Sequence, residues 1–153
     1  MHGSRHLRSA GPLVWRSRLL RTLGTRGCTA GPARPWLEVR ASYDRALRAR
    51  AAGLELDTEA HLVPLVLEAD SAARADLRAQ LLAPLADLRP GTAEKLTDTL
   101  RSWLLHQGRR DDVAADLFVH AQTVRYRMGQ LRELYGDRLD DPDTVLALVV
   151  ALG

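Results

Sequence analysis

The sequence predicts an all-α fold, a small helical bundle, for most of its 153 residues. Three observations support this prediction. From residue 71 onward, apolar residues recur at three- and four-residue spacing, as on the buried face of a helix. Residue types that begin or end helices separate these stretches. The same region lacks the alternating apolar and polar pattern of half-buried β-strands.

The N-terminal part has a different composition. Residues 1–35 contain seven arginines and no acidic residue, and because the whole chain carries +3, residues 36–153 carry −4. Gly, Pro, Ser and Thr interrupt the apolar clusters, so we predict a disordered, Arg-rich tail over residues 1–40 with at most a short helix at Leu13–Leu23. Three origins stay open: a disordered basic tail, a transit peptide, and a start codon placed too far upstream.

Residues 41–90 are predicted to form a partly helical linker. An Ala/Arg/Leu-rich stretch at 43–52 favours a helix, whereas Pro64 argues against a long helix around it. Ser71 is a residue type that caps helices, and an amphipathic segment follows it. The sequence "RPGT" at 89–92 then breaks the chain.

Residues 91–153 are predicted to form one helical domain. The expected helices run from a cap at Thr92 to about residue 107, from Asp111 or Asp112 to Phe118, over about 122–135, and from a cap at Asp141 onward. A short helix, a tight turn and a longer helix make a helix-turn-helix. The residues predicted to face the core from the longer helix are Val124, Met128, Leu131 and Leu134.

The exposed start of the longer helix carries side chains suited to DNA. Between Val119 and Arg132 there are three arginines and no acid. Gln can pair with adenine through two hydrogen bonds, and Arg can do the same with guanine. The residues predicted to contact DNA are Gln122, Thr123, Arg125, Tyr126 and Arg127 of this helix, His120 before it, and Arg109 and Arg110 upstream. A solvated amphipathic helix would produce the same generic pattern.

Other classes of site have little support. The single cysteine, Cys28, excludes an internal disulfide and a cysteine-rich metal site. No apolar run approaches the roughly 20 residues of a membrane span. We find no Gly-rich phosphate loop, nucleophile motif or metal-ligand cluster. We therefore expect no enzymatic activity, no metal or other cofactor, no membrane partner, no evident small-molecule site, and a cytoplasmic location.

The stretch "VHAQTVRYRMGQLRELYGDRLDDPDTVLALVVAL" closely resembles the C-terminal helix-turn-helix of PucR/CdaR-type bacterial transcriptional regulators. That family has a core of the form V-H-x-[NQ]-T-V-R-Y-R-[LM] and a tail of the form L-x-x-L-x-G-x-x-L-D-D-P. This chain supplies the core from Val119 to Met128 and the tail from Leu131 to Pro142. The resemblance covers roughly residues 93–152, in a form similar to actinobacterial members.

The resemblance implies sequence-specific binding of double-stranded DNA as part of a transcriptional regulator. The helix at about 122–135 would lie in the major groove, and a homodimer is expected. Family members usually carry longer N-terminal regions with sensory domains, so the chain looks truncated. A helical protein-interaction module, or an inactive remnant of a longer regulator, is the alternative.

Individual residues in the motif also have structural explanations. The ring of Tyr126 could pack against the first motif helix, and Arg127 could pair with an acid such as Asp116. His120 could serve in the turn or cap the helix. Gly129 is costly inside a helix, so a close approach of backbone, partner helix or DNA is one explanation for it.

Overall fold

The computed structural model describes residues 12–24, 27–54 and 56–153, and helices dominate them. Two strands of two residues each are the exception within these ranges. The all-α fold predicted from the sequence is therefore confirmed. The chain divides into two compact units, one within residues 1–69 and the other within residues 70–153.

The N-terminal unit contains short helices and a minimal parallel sheet. Its elements are α1 (Pro12–Leu23), β1 (Thr29–Ala30), α2 (Val39–Ala51), β2 (Leu56–Asp57) and α3 (Leu62–Leu67). In the sheet, Thr29 pairs with Leu56 and Ala30 with Asp57. α3 is only six residues long and includes Pro64, in agreement with the expectation that no long helix runs through that proline.

Part of the predicted disordered tail is folded in this unit. α1 agrees with the short helix that the sequence allowed at Leu13–Leu23, whereas β1 was not predicted, and residues 1–11, 25 and 26 of the tail lie outside the described residues. Arg16 forms salt bridges with Asp57 and Glu59, and it donates a hydrogen bond of 2.9 Å to the Gly31 carbonyl oxygen. The acids that neutralise Arg16 lie about forty residues further along the chain, so the local composition of the tail could not reveal them.

The C-terminal unit is a bundle of five helices around one core. These are α4 (Ser71–Leu82), α5 (Pro90–Leu105), α6 (Arg110–Asp116), α7 (Ala121–Tyr135) and α8 (Pro142–Leu152). α4 packs against α8, and α5 contacts α6, α7 and α8. The most deeply buried side chains of the core are Leu96, Leu100, Val113, Val124, Leu131 and Leu148.

Residues 70–90, which the sequence assigned to a linker, lie in this same unit. Leu81 and Leu85 are buried in its core. The hydroxyl of Tyr135, at the end of α7, donates a hydrogen bond of 2.9 Å to the Leu81 carbonyl oxygen. The predicted break at "RPGT" is therefore the N-cap and first turn of α5, within the same bundle as α4.

Two helix starts differ from those predicted, one of them by one residue and the other by three. Asp70, not Ser71, caps α4, because its carboxylate accepts a hydrogen bond from the Ala73 backbone N–H. α5 begins at Pro90 with Arg89 at the cap position, three residues before the predicted cap Thr92, since proline suits the first position of a helix. The predicted cap of α8 is confirmed, with Asp141 accepting from the Thr144 N–H at 2.9 Å.

Two arginines bind the end of α8. Arg78 of α4 donates to the Ala151 carbonyl oxygen at 3.3 Å, and Arg101 of α5 donates to the Leu152 carbonyl oxygen at 2.7 Å. These carbonyls belong to the last turn, where no helical N–H is left to pair with them.

Among the described helices, none combines the length and hydropathy that crossing a membrane requires.

Candidate nucleic-acid interface

α6, the turn after it and α7 form the helix-turn-helix. Ala114 of α6 is buried, as a close helix crossing requires, whereas Ala115 is exposed. In the turn, the Val119 N–H donates to the Ala114 carbonyl oxygen at 2.9 Å. This closure places Phe118 in the left-handed region at φ 52°, with 96% of the residue exposed. An aromatic residue in that conformation is a rare outlier.

His120 caps the start of α7. Its Nδ1 accepts a hydrogen bond of 3.2 Å from the Gln122 backbone N–H, which confirms the capping role considered from the sequence. An imidazole nitrogen that accepts carries no proton, so in the neutral ring the proton is on Nε2. His120 is exposed, and this second N–H is therefore available to a ligand at the helix start.

The inward face of α7 is largely as predicted. Val124, Met128 and Leu131 are buried, but Leu134 remains 37% exposed. Tyr135 occupies the next inward position instead. Because a helix turns once per 3.6 residues, Tyr135 lies almost directly above Leu131, whereas Leu134 falls toward the edge of the buried stripe.

The outward face at the start of α7 carries uncommitted polar groups. Gln122, Arg125 and Tyr126 are exposed, and no described residue pairs or hydrogen-bonds with the side chains of these three or of Thr123. Tyr126 is 65% exposed, so its ring is not buried against the first motif helix. These four side chains can therefore bind a ligand without breaking an internal contact.

Gly129 lines a shallow groove on this face. The other lining residues are Gln122, Arg125, Tyr126, Gln130 and Glu133. A Cβ atom built at Gly129 would meet no atom within 4 Å. The packing of the chain itself therefore does not require glycine here.

Arg127 is partly committed to the fold. Its Nη1 donates a hydrogen bond of 3.3 Å to the Thr99 hydroxyl, which links α7 to α5. The suggested pair with Asp116 is not formed. Asp116 instead accepts a hydrogen bond of 2.6 Å from the Ser102 hydroxyl and lies 3.6 Å from Nε2 of His106.

Arg109 and Arg110 lie at the far end of α6 from the turn. Arg109 forms a 2.7 Å salt bridge with Asp112, and both side chains are largely exposed to solvent. No ion pair of Arg110 with another described residue is present. α6 has seven residues and is therefore roughly 10 Å long. The structure does not bring these two arginines to the grooves beside Tyr126.

A second groove lies on the other side of Tyr126, and no sequence pattern indicates it. It lies between α5 and α7, and its lining includes Lys95 and Thr92 of α5 together with Arg127. Lys95 precedes the motif by about 25 residues, so no local pattern connects it with α7. Its one distinguishing signal is that it is the only lysine in the chain.

Acidic residues are concentrated at the opposite end of α7. Residues 137–143 contain four aspartates and one arginine, directly after the helix. α7 has fifteen residues, which places this acidic segment roughly 20 Å from Gln122 along the helix axis. These four aspartates therefore lie away from the start of α7.

Ser102, Asp116 and His106 are residue types that hydrolases use, but their arrangement differs. In a catalytic triad the histidine lies between the serine and the acid. Here Asp116 lies between the other two, and Ser102 is buried. This cluster therefore connects α5 with α6.

Within the described residues, no group of three or more metal-binding side chains is placed to hold an ion.

Two relatives share most of the chain. An uncharacterized protein in the pkwA 5' region of Thermomonospora curvata is 42% identical over 108 residues, covering 69% of this chain and 58% of that protein. The uncharacterized protein YsfB of Bacillus subtilis (strain 168) is 27% identical over 125 residues, covering 72% of this chain and 30% of YsfB. The chain thus spans less than two thirds of either relative. No solved structure matches it significantly.

The family comparison covers most of the bundle but not α4. Residues 96–153 match the PucR C-terminal helix-turn-helix domain, from Leu96 in α5 to the end of α8. This type of domain is a DNA-binding domain of transcription regulation and is not catalytic. Its helix-turn-helix corresponds to α6 and α7, where His120 caps the second helix. Residues 96–153 of this chain therefore belong to the family of PucR C-terminal helix-turn-helix domains.

Proposed function

We propose that the C-terminal unit binds double-stranded DNA sequence-specifically as part of a transcriptional regulator, with α7 in the major groove. The observation that carries this proposal is the uncommitted polar face at the start of α7. Gln122, Thr123, Arg125 and Tyr126 have no partners among the described residues, while the opposite face of the same helix is buried in the core. A rigid helix that presents free donors is the arrangement that groove recognition needs.

Within this proposal, the residues divide into base readers and phosphate binders. Gln122 and Arg125 have side chains that can make paired hydrogen bonds with base edges, and Thr123 can contact a thymine methyl group. His120 offers its Nε2–H at the helix start, where the helix dipole also favours phosphate. Contacts to phosphate would set orientation, and contacts to bases would set sequence preference.

The remaining members of the predicted set have smaller roles. Tyr126 borders both grooves and is placed for a backbone or base-edge contact. Arg127 is held by Thr99 and would provide a fixed positive charge. Arg109 and Arg110 would contact phosphate only outside the grooves beside α7, and the pairing of Arg109 with Asp112 weakens its contribution.

We also propose that the domain acts as a homodimer. α8 buries Leu148 and Leu152 in the core but exposes Leu146, Val149 and Val150, which lie at helical spacing on one face. An exposed apolar stripe of this kind supports contact with a second copy. Two copies related by a two-fold axis would read half-sites about one DNA turn, roughly 34 Å, apart.

The test begins with selection of duplexes from a randomised pool by the full chain. Fluorescence anisotropy then measures affinity for the selected duplex and for a shuffled duplex across a salt series. The seven arginines of residues 1–35 can bind any duplex, so the difference between the two duplexes is the informative quantity. Arg125→Ala should reduce that difference, whereas Arg138→Gln, an exposed control beyond the end of α7, should not.

The type of site that is enriched distinguishes a dimer, a single copy and a unit that does not recognise DNA. Enrichment of an inverted repeat, with loss of preference in the Arg125 variant, supports sequence-specific binding by a dimer. Enrichment of a single half-site supports binding by one copy and contradicts the dimer. No enrichment from the randomised pool, with equal binding of unrelated duplexes by wild type and variant, would mean that the unit is a protein-interaction module or an inactive remnant.

A further inference from the structure

The groove between α5 and α7 lies beside the proposed DNA face, and the charged side chains that line it are all positive. Its volume is about 350 Å³, and the side chains around it include Lys95 and Arg127 as well as the hydroxyls of Thr92 and Thr123 and the amide of Gln130. No acidic residue lines it. The groove therefore combines two positive charges with neutral hydrogen-bonding groups.

The two cations differ in how they are held. Arg127 is fixed by its hydrogen bond to the Thr99 hydroxyl, and that hydroxyl itself donates to the Lys95 carbonyl oxygen at 2.7 Å. The Lys95 ammonium, by contrast, is exposed and forms no salt bridge with any residue in the described part of the chain. Its acidic neighbours on α5, Glu94 and Asp98, do not line the groove.

We infer that this groove is a second DNA-contact site, in which Lys95 and Thr92 of α5 bind the phosphate backbone next to the strand read by α7. The inference rests on the proposed DNA binding and extends it to a helix outside the helix-turn-helix. Thr123 and Tyr126 line this groove and lie on the exposed face of α7, so a duplex seated on that face would place backbone along the groove. Lys95 supplies a mobile point charge, and Thr92 supplies a hydroxyl donor.

The expected effect is on affinity for all sequences, since phosphate contacts carry no base information. Loss of one phosphate contact lowers the slope of log affinity against log salt by about one. Over a fourfold change in salt this amounts to roughly a threefold difference in affinity. Lys95→Gln should therefore weaken binding to selected and shuffled duplexes alike, and Lys95→Arg should keep the slope.

Because Lys95 is the only lysine, its protection by DNA can be measured directly on the full chain. An amine-acetylating reagent followed by mass spectrometry reports the reactivity of Lys95, the only lysine side chain present. We expect the selected duplex to protect Lys95 severalfold at low salt and to lose this protection at high salt. Arg138→Gln serves as the charge-matched control in the salt series, and its slope should match that of the wild-type chain.

Different results would contradict the α5 contact alone and DNA binding as a whole. If Lys95 reacts equally with and without the selected duplex, and Lys95→Gln keeps the wild-type salt slope while Arg125→Ala still loses specificity, the α5 groove is outside the DNA face. If neither variant changes binding and no duplex is selected, the proposed function fails and the inference fails with it.

Discussion

The Tyr135 hydroxyl donates a 2.9 Å hydrogen bond to the Leu81 carbonyl oxygen, joining the end of α7 to α4 across 54 positions of sequence. Tyr135 is buried, and burial raises the pKa of its phenol, with a smaller opposing effect from Arg138. The contact makes α4 part of the support of the second motif helix. The free energy of unfolding of the C-terminal unit should therefore depend on the Tyr135 phenol.

Tyr135→Phe is expected to lower the free energy of unfolding by about 1 kcal/mol, because it removes one hydrogen bond and keeps the ring. The wild-type chain should also lose stability as pH rises above about 10, since the unfolded phenol ionises there while the folded phenol, with its raised pKa, still holds its proton. Urea unfolding of both proteins from pH 8 to 11 measures this. An identical alkaline decline in both would contradict the assignment to Tyr135.

Arg125→Ala is expected to weaken binding to the selected duplex by about 1–3 kcal/mol if the guanidinium pairs with guanine. Arg125→Lys should recover little of this loss, because an ammonium cannot make the paired contact. Anisotropy titrations at fixed salt provide the measurement. Unchanged affinity and unchanged site preference in the alanine variant would remove Arg125 from the set of base readers.

Val124→Asp or Leu131→Asp is expected to unfold the motif, because either change places an unpaired carboxylate where the native side chain is fully buried. Leu105→Asp, at a half-exposed position, is the control and should keep a cooperative thermal transition. Circular dichroism during heating distinguishes them. A cooperative melt of the Val124 variant near the wild-type temperature would show that the face of α7 has been assigned incorrectly.

Gly129→Ala is expected to raise the free energy of unfolding by about 1 kcal/mol, because alanine favours the helix and the added Cβ meets no atom within 4 Å. Gly91→Ala, equally unobstructed but in the first turn of α5, should add less. Urea midpoints compare the two. A loss of stability in the Gly129 variant would mean that another contact fills the groove.

His120→Asn is expected to preserve the start of α7, since asparagine is a preferred N-cap. It removes the Nε2–H and should therefore weaken DNA binding without lowering the melting temperature. His120→Ala removes the cap as well and should lower both. Equal DNA affinity of the asparagine variant and the wild-type chain would limit His120 to its role in the fold.

Local sequence signals predicted most of the C-terminal bundle. Caps such as Asp141 and stops such as Gly136 are set by residues within one turn, so the chain near them is sufficient to place a helix end. The residual errors are also local. Asp70 and Ser71 are both good helix caps, and Leu134 and Tyr135 are both suited to the core. The sequence pattern therefore cannot decide which residue of each pair takes the position.

Contacts between distant segments were not predictable in the same way. The pairing of Tyr135 with Leu81, of Arg127 with Thr99, and of Arg16 with its two acids depends on how helices are arranged in space. Lys95 illustrates the same limit in the candidate site. Its neighbours across the groove lie about thirty residues later, and only packing of α5 on α7 brings them together.

The packing of α4 against α8 has a consequence for the order of folding. α5, α6 and α7 lie within 46 consecutive residues. The partners of α4 are more distant in sequence: Tyr135 lies 53 residues after the end of α4, and α8 begins sixty residues after that end. Closing such a distant contact costs chain entropy, so it is expected to form late. At synthesis rates of about 5–20 residues per second, the apolar side of α4 would stay uncovered for roughly 4–14 seconds in each newly made chain.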